Sequence, residues 1–107
     1  MVYKIIIQQQ AENDIGEIYQ YISEFSLKAA SVWRLDIKSA IISLSSFPKR
    51  CPLAPESEKL GYELRQMICG KRTACYRIIF RVIDEKQEFH ILTIRHAARK
   101  QLEIEDL

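Results

Sequence analysis

The chain has 107 residues, 48% of them apolar and 28% charged, a composition that suits one globular domain over residues 1–107 and excludes disordered or collagen-like structure. Apolar runs of three or four residues fall far short of the ~20 a membrane-spanning helix needs, and the N-terminus has no signal-peptide layout, so the expectation is a cytoplasmic protein without a membrane partner. The net charge of +2 says nothing about partners until it is divided along the chain.

Val2–Ile7 is short, β-branched and apolar, which predicts a strand. Ala11, Ile15, Ile18, Ile22 and Phe25, with Tyr19 beside them, recur every three or four residues. That spacing predicts an amphipathic helix with Glu12, Asp14, Glu17 and Glu24 largely on its outer side. Glu12 and Asp14 also lie near its start, where they complement the helix dipole. Ser26 suits the N-cap of a second helix. Along it Ala30, Trp33, Ile37, Ala40, Leu44 and Phe47 step alternately by three and four, a seam that Pro48 ends. Two such helices joined by a few residues make a helical hairpin.

Residues 49–61 hold Pro52, Pro55, several charges and little periodicity, so a loop is expected there. Strand patterns follow. In 62–69 the apolar residues Tyr62, Leu64 and Ile68 alternate with Glu63 and Arg65. In 74–84 the even positions Ala74, Tyr76, Ile78, Phe80 and Val82 are all apolar, which puts Arg77 and Arg81 together on the other face. Residues 84–88 are a polar connection, and 89–96 form a last apolar strand containing His90, read as packing or surface. The predicted architecture is α+β in the order β-α-α-β-β-β. A small, twisted, mostly antiparallel sheet takes the N-terminal hairpin on one face.

Cys51, Cys69 and Cys75 form no C-x-x-C pair and have no paired histidines near them, so zinc spacing and a secreted disulfide framework are absent. Cys69 and Cys75 flank a turn, yet small half-buried thiols are the expectation. Only Gly16, Gly61 and Gly70 occur in the chain, so no nucleotide-binding glycine pattern exists. No cofactor or metal is implied.

Charge is strongly segregated. Residues 1–58 balance to −1, residues 59–100 to +6 and residues 101–107 to −3. Between Arg65 and Arg81 there are five cations and no acid, the electrostatic footprint of an anion- or nucleic-acid-binding surface. Arg77, Arg81 and Arg65 are expected together on the sheet face away from the helices, where planar guanidinium forks would be held for phosphate. The alternatives are a solvated face and edge protection against aggregation.

A short strand followed by "AENDIGEIYQYI", the segment "AIISLSSFP", and above all "ELRQMICGKRTACYRIIFRVIDEKQEFHILTIRHAAR" resemble, in order, the RelE/ParE superfamily of type II toxin–antitoxin toxins, also known as the plasmid stabilisation family. The resemblance covers almost the whole chain and implies the same β-α-α-β-β-β fold. It implies a growth-inhibiting toxin neutralised by a cognate antitoxin, with a hetero-oligomeric complex expected. One branch of the superfamily cleaves mRNA on the ribosome without metal, leaving 2′,3′-cyclic phosphate. Another, which includes ParE, poisons DNA gyrase.

In the ribonuclease branch Arg65 and Arg77 would clamp the phosphorane. His96 would be the acid or base, as the well-placed side chain whose unperturbed pKa lies near neutrality. A structural role at the strand end is the alternative for His96. Arg72, Arg81, Arg95 and Arg99 are the candidates for phosphate or target binding. Three features favour the ParE-like branch: the ending "IRHAARKQL", Glu103 where several ribonuclease members carry a tyrosine, and the segment 71–75, longer than in compact ribonuclease members, which leaves Arg72 without a secure counterpart there. The expectation is therefore a ParE-like gyrase poison, enzymatic only in the ribonuclease alternative. A non-toxic nucleic-acid-binding or interaction module is the second alternative.

Overall fold

A computed structural model describes residues 2–70 and 75–97. The elements are β1 (Lys4–Ile7), α1 (Gln9–Ser23), α2 (Leu27–Ser43), α3 (Glu56–Leu60), β2 (Arg65–Cys69), β3 (Tyr76–Ile83) and β4 (Glu88–His96). The strands form one sheet in the order β1-β4-β3-β2. β1 runs parallel to β4, and the other neighbours are antiparallel. The expected α+β topology is therefore the observed one.

The helical hairpin forms for the local reasons its spacing suggests. Ser26 is extended and its hydroxyl accepts the Ala29 amide at 3.1 Å, which starts α2 by satisfying an orphan donor. Ala30, Ile37, Ile41 and Leu44 are buried, with Trp33 and Ala40 packed beside them. Against them, from the sheet, come Ile78, Phe80, Phe89, Ile91 and Ile94. α2 stops at Ser43, four residues short of the predicted end. The Arg50 guanidinium explains this, donating to the carbonyls of Ser43, Ser46 and Phe47 at 2.7–3.2 Å. These bonds satisfy backbone acceptors at the end of the helix. Phe47 then takes a left-handed φ of 57° and is 72% exposed, so the last member of the predicted seam never reaches the core. Phe25, past the end of α1, is likewise exposed.

The opposite face of the sheet is covered as well. Ala54 and Leu64 pack with Ile79 into a second, smaller core, supported by Leu60 and Leu92. The segment expected to be a loop holds a 3-10 turn at Pro48–Arg50 and the five-residue α3, which closes at Gly61 with φ 81°. A helix of that length is too short to show periodicity in the sequence.

One irregularity decides what β4 presents. Ile79 pairs with Thr93 but Phe80 pairs with Ile91, so Leu92 is the extra residue of a β-bulge. The Asp14 carboxylate reaches across from α1 and accepts both the Ile94 amide at 3.1 Å and the Thr93 hydroxyl at 2.5 Å. A bulge disrupts the ladder, and the carboxylate supplies the Ile94 donor with an acceptor. The bulge also shifts the alternation, so Ile91 and Ile94 both enter the main core. His96 follows Ile94 inward.

Candidate functional site

Arg77 stands on β3 on the face away from the hairpin, but it does not meet solvent. It is 6% exposed, beneath Glu56, which is 0% exposed. Its two terminal nitrogens donate to the two Glu56 carboxylate oxygens at 2.9 and 2.5 Å, and its Nε donates to Gln66 Oε1 at 2.9 Å. The expected open phosphate clamp is thus a closed, bidentate internal ion pair. Glu56 was missed because its segment carries no strand or long-helix pattern. The available signal was the run Pro55-Glu56-Ser57-Glu58, with acids in a first turn after proline and Gly61 five residues on from Glu56.

Arg65 lies on the other side of the sheet from Arg77. Register pairs Arg65 with Phe80, Met67 with Ile78 and Cys69 with Tyr76, so the odd residues of β2 share the hairpin face. The predicted alternation was the reverse. Met67, Ile68 and Cys69 are all apolar, so alternation alone did not fix the phase, and Leu64 belongs to the second core rather than to the strand. The Arg65 guanidinium staples β2 to the preceding segment, donating to the Cys51 carbonyl at 2.7 Å, the Lys49 carbonyl at 3.3 Å and Glu63 at 2.9 Å.

His96 sits on the hairpin face opposite Tyr76, their rings edge to face at 5.3 Å, and Tyr76 meets Trp33 the same way at 5.4 Å. The strand partners of His96 and Arg65, Tyr76 and Phe80, are four residues apart along β3, about 13 Å at ~3.3 Å per residue. Arg65, Arg77 and His96 are therefore not brought together.

Arg81 is exposed and lies 4.9 Å over the Tyr62 ring, a cation–π contact. Arg95 is half-buried and is the cross-strand partner of Arg77. Arg72 and Arg99 lie outside the described residues, as does Glu103. His90 is bonded at both ring nitrogens, to Gln8 at 3.1 Å and to Glu88 at 3.0 Å, which ties the start of α1 to β4. The three cysteines are free thiols, and burial pushes those of Cys51 and Cys69 up from the ordinary value.

A feature absent from the sequence expectations lies between α1, α2 and the edge strand β1. It is a groove of about 820 Å³ walled by Ile5, Ile7, Ile15, Leu35, Ile41 and Ile42, with Arg34 and Lys38 on its rim and Glu12 opposite. Leu35 is 64% exposed and Ile42 52%. They are seven residues apart on α2, a second apolar stripe that was present in the sequence beside the core seam. Exposed aliphatic side chains grouped in this way mark an interaction surface.

Comparison with known proteins agrees with this architecture. The sequence pattern of a family described as the ParE toxin of type II toxin–antitoxin system, parDE, matches residues 5–101. Comparison with curated proteins finds no significant match. Among solved structures, a chain of the chromosomal ParDE toxin–antitoxin system of P. aeruginosa superposes with a TM-score of 0.68 at 21% identity, covering 89% of this chain and 96% of that one. A mutant of the E. coli toxin RelE in its free state gives 0.62 at 18% identity, over 92% of this chain and 86% of that one. The RelBE2 toxin–antitoxin complex of Mycobacterium tuberculosis gives 0.56 at 24% identity, over 92% and 95%. At these identities the structural likeness speaks for the fold, and the family pattern carries the relationship. Since that pattern spans nearly all of its elements, from β1 to beyond β4, the chain belongs to the ParE toxin family of type II toxin–antitoxin systems.

Proposed function

We propose that this protein is a toxin that arrests growth by binding a protein target, DNA gyrase in keeping with its ParE-like branch, rather than by cutting RNA. The observation that carries the reading is the dispersal of Arg65, Arg77 and His96. Metal-free cleavage of a phosphodiester needs a proton-transfer group and charge donors within about 3 Å of one reacting phosphate. Here one arginine is neutralised by Glu56, another is spent on backbone carbonyls, and the histidine packs on Tyr76.

The same reading includes a cognate antitoxin. Two of the structures above are parts of toxin–antitoxin systems. The groove between α1, α2 and β1 supports such a partner, since its aliphatic walls and cationic rim suit an amphipathic, acidic segment. The test is a paired assay on the purified protein. Inhibition of gyrase supercoiling, with ribosome-bound mRNA left intact, is the expected result. mRNA cleavage with 2′,3′-cyclic phosphate ends, abolished by His96→Ala, would replace this reading with the ribonuclease one. Unaffected growth on expression without an antitoxin would remove the toxin reading altogether.

A further inference from the structure

The Glu56–Arg77 pair is a poor device for stability. Removing two charges from water costs several kcal/mol per ion, and well-packed neutral residues in place of a buried pair are often as stable or more so. Its geometry fits another role. A guanidinium fork binds carboxylate and phosphate oxygens in the same bidentate way, and the Arg77 fork is filled by Glu56 at 2.9 and 2.5 Å while Gln66 holds its Nε. Arg77 also shares its face of the sheet with two further cations, its cross-strand neighbour Arg95 and Arg81 four residues further along β3. The segment that brings Glu56 over this face starts from Cys51 in the main core and then packs on the small Ala54–Leu64–Ile79 cluster. Two backbone bonds hold it, Ala54 to Leu64 at 2.7 Å and Gln66 to Pro52 at 3.1 Å, together with the Ser57 hydroxyl, which donates to the Tyr62 carbonyl at 2.9 Å and accepts the Leu64 amide at 3.0 Å.

We propose that Glu56 is an internal counter-anion that occupies the oxyanion-binding fork of Arg77 and so keeps this face of the sheet from holding nucleic-acid phosphate. The inference goes beyond the toxin reading and holds whatever the cellular target is. It assigns α3 a function: to carry one carboxylate to one arginine. With Glu56 neutral, the ion pair that holds α3 over Arg77 is lost, and opening of that segment exposes the buried fork as a phosphate site on a face that already carries cations.

The test uses a short fluorescein-labelled single-stranded RNA as probe. Glu56→Gln, with its fold checked by near-UV circular dichroism, should bind it about fivefold more tightly than wild type. Its log–log salt slope should be steeper by about 0.7, the mark of one added phosphate contact on a single strand. Adding Arg77→Met to Glu56→Gln should abolish the gain. A folded Glu56→Gln variant with wild-type affinity overturns the proposal. So does a gain that survives Arg77→Met, since net charge alone would then explain it. If Glu56→Gln does not fold, the wild-type protein decides by NMR. The Arg77 Nε–H resonance should stay in place when RNA is added, and a displacement as large as that of Arg81 overturns the proposal.

Discussion

The Asp14 carboxylate is one point at which α1 grips the sheet, since it accepts the Thr93 hydroxyl and the Ile94 amide at the β4 bulge. Thr93 is 4% exposed and Ile94 2%, so removing the acceptor strands two buried donors. Asp14→Ala should lower unfolding stability by about 2–3 kcal/mol, measured by urea denaturation, the range for lost charge-assisted hydrogen bonds. Asp14→Asn, which keeps one acceptor oxygen, should lose less. Equal stability of Asp14→Ala and wild type would mean that water or another group serves the bulge. The sequence pattern placed Asp14 only as an acid early in a helix, because the bulge that needs it lies about 80 residues further on and has no local signature.

At the level of elements, α2 is amphipathic twice over. One stripe, Ala30–Ile37–Ile41–Leu44, is core, and the other, Leu35 and Ile42, walls the open groove. The two stripes separate stability from binding. Leu35→Glu should leave the melting temperature within a few degrees of wild type, because the side chain is mostly in water. It should nevertheless weaken antitoxin affinity by at least about tenfold in calorimetric titration, since it puts a charge in an apolar wall facing an acidic partner. A large fall in melting temperature would show instead that the stripe is part of the core. The end of the same helix rests on Arg50. Arg50→Ala frees the carbonyls of Ser43, Ser46 and Phe47 and should cost about 1 kcal/mol in denaturant unfolding. Arg50→Lys should recover part of it, because a single nitrogen, Nη1, makes all three carbonyl contacts, while the bond of the second terminal nitrogen to the Ser43 hydroxyl is lost.

For the molecule as a whole, two carboxylates with lowered pKa contribute to stability against acid. Hydrogen bonds from Lys49 and then Tyr3 hold the Asp84 carboxyl below its usual value of 3.8, and His90 does the same for Glu88. A carboxylate with a depressed native pKa stabilises the fold above its unfolded pKa, and this is lost as pH falls through the native value. The melting temperature should therefore hold between about pH 7 and 5 and fall below about pH 4. Asp84→Asn should flatten part of that acid limb, and an unchanged limb would show that Asp84 does not contribute. Asp84 is exposed and Glu88 half-buried, so the Asp84 part of the effect should shrink more as salt is added.

The chain alone determined the element order, the helical hairpin, the inward face of β3 and the concentration of cations in its second half. Each of these is a local or periodic property: spacing along a helix, alternation along a strand, or a count of charges. Tertiary structure decided everything that depends on phase and partner. β2 reads as an alternating strand, but only its register against β3 turns Arg65 toward the hairpin and leaves Ile68 outside. β4 reads as a run of apolar residues, but only the bulge at Leu92 sends His96 inward and leaves Arg95 beside Arg77. Arg77 was legible as an arginine on the outer face. Its neutralisation by a carboxylate 21 residues earlier was not, because a five-residue helix has no period and an ion pair between distant segments leaves no trace in either. The even charge of +2 that the sequence displays thus conceals a cationic sheet in which Arg77 is already answered from within.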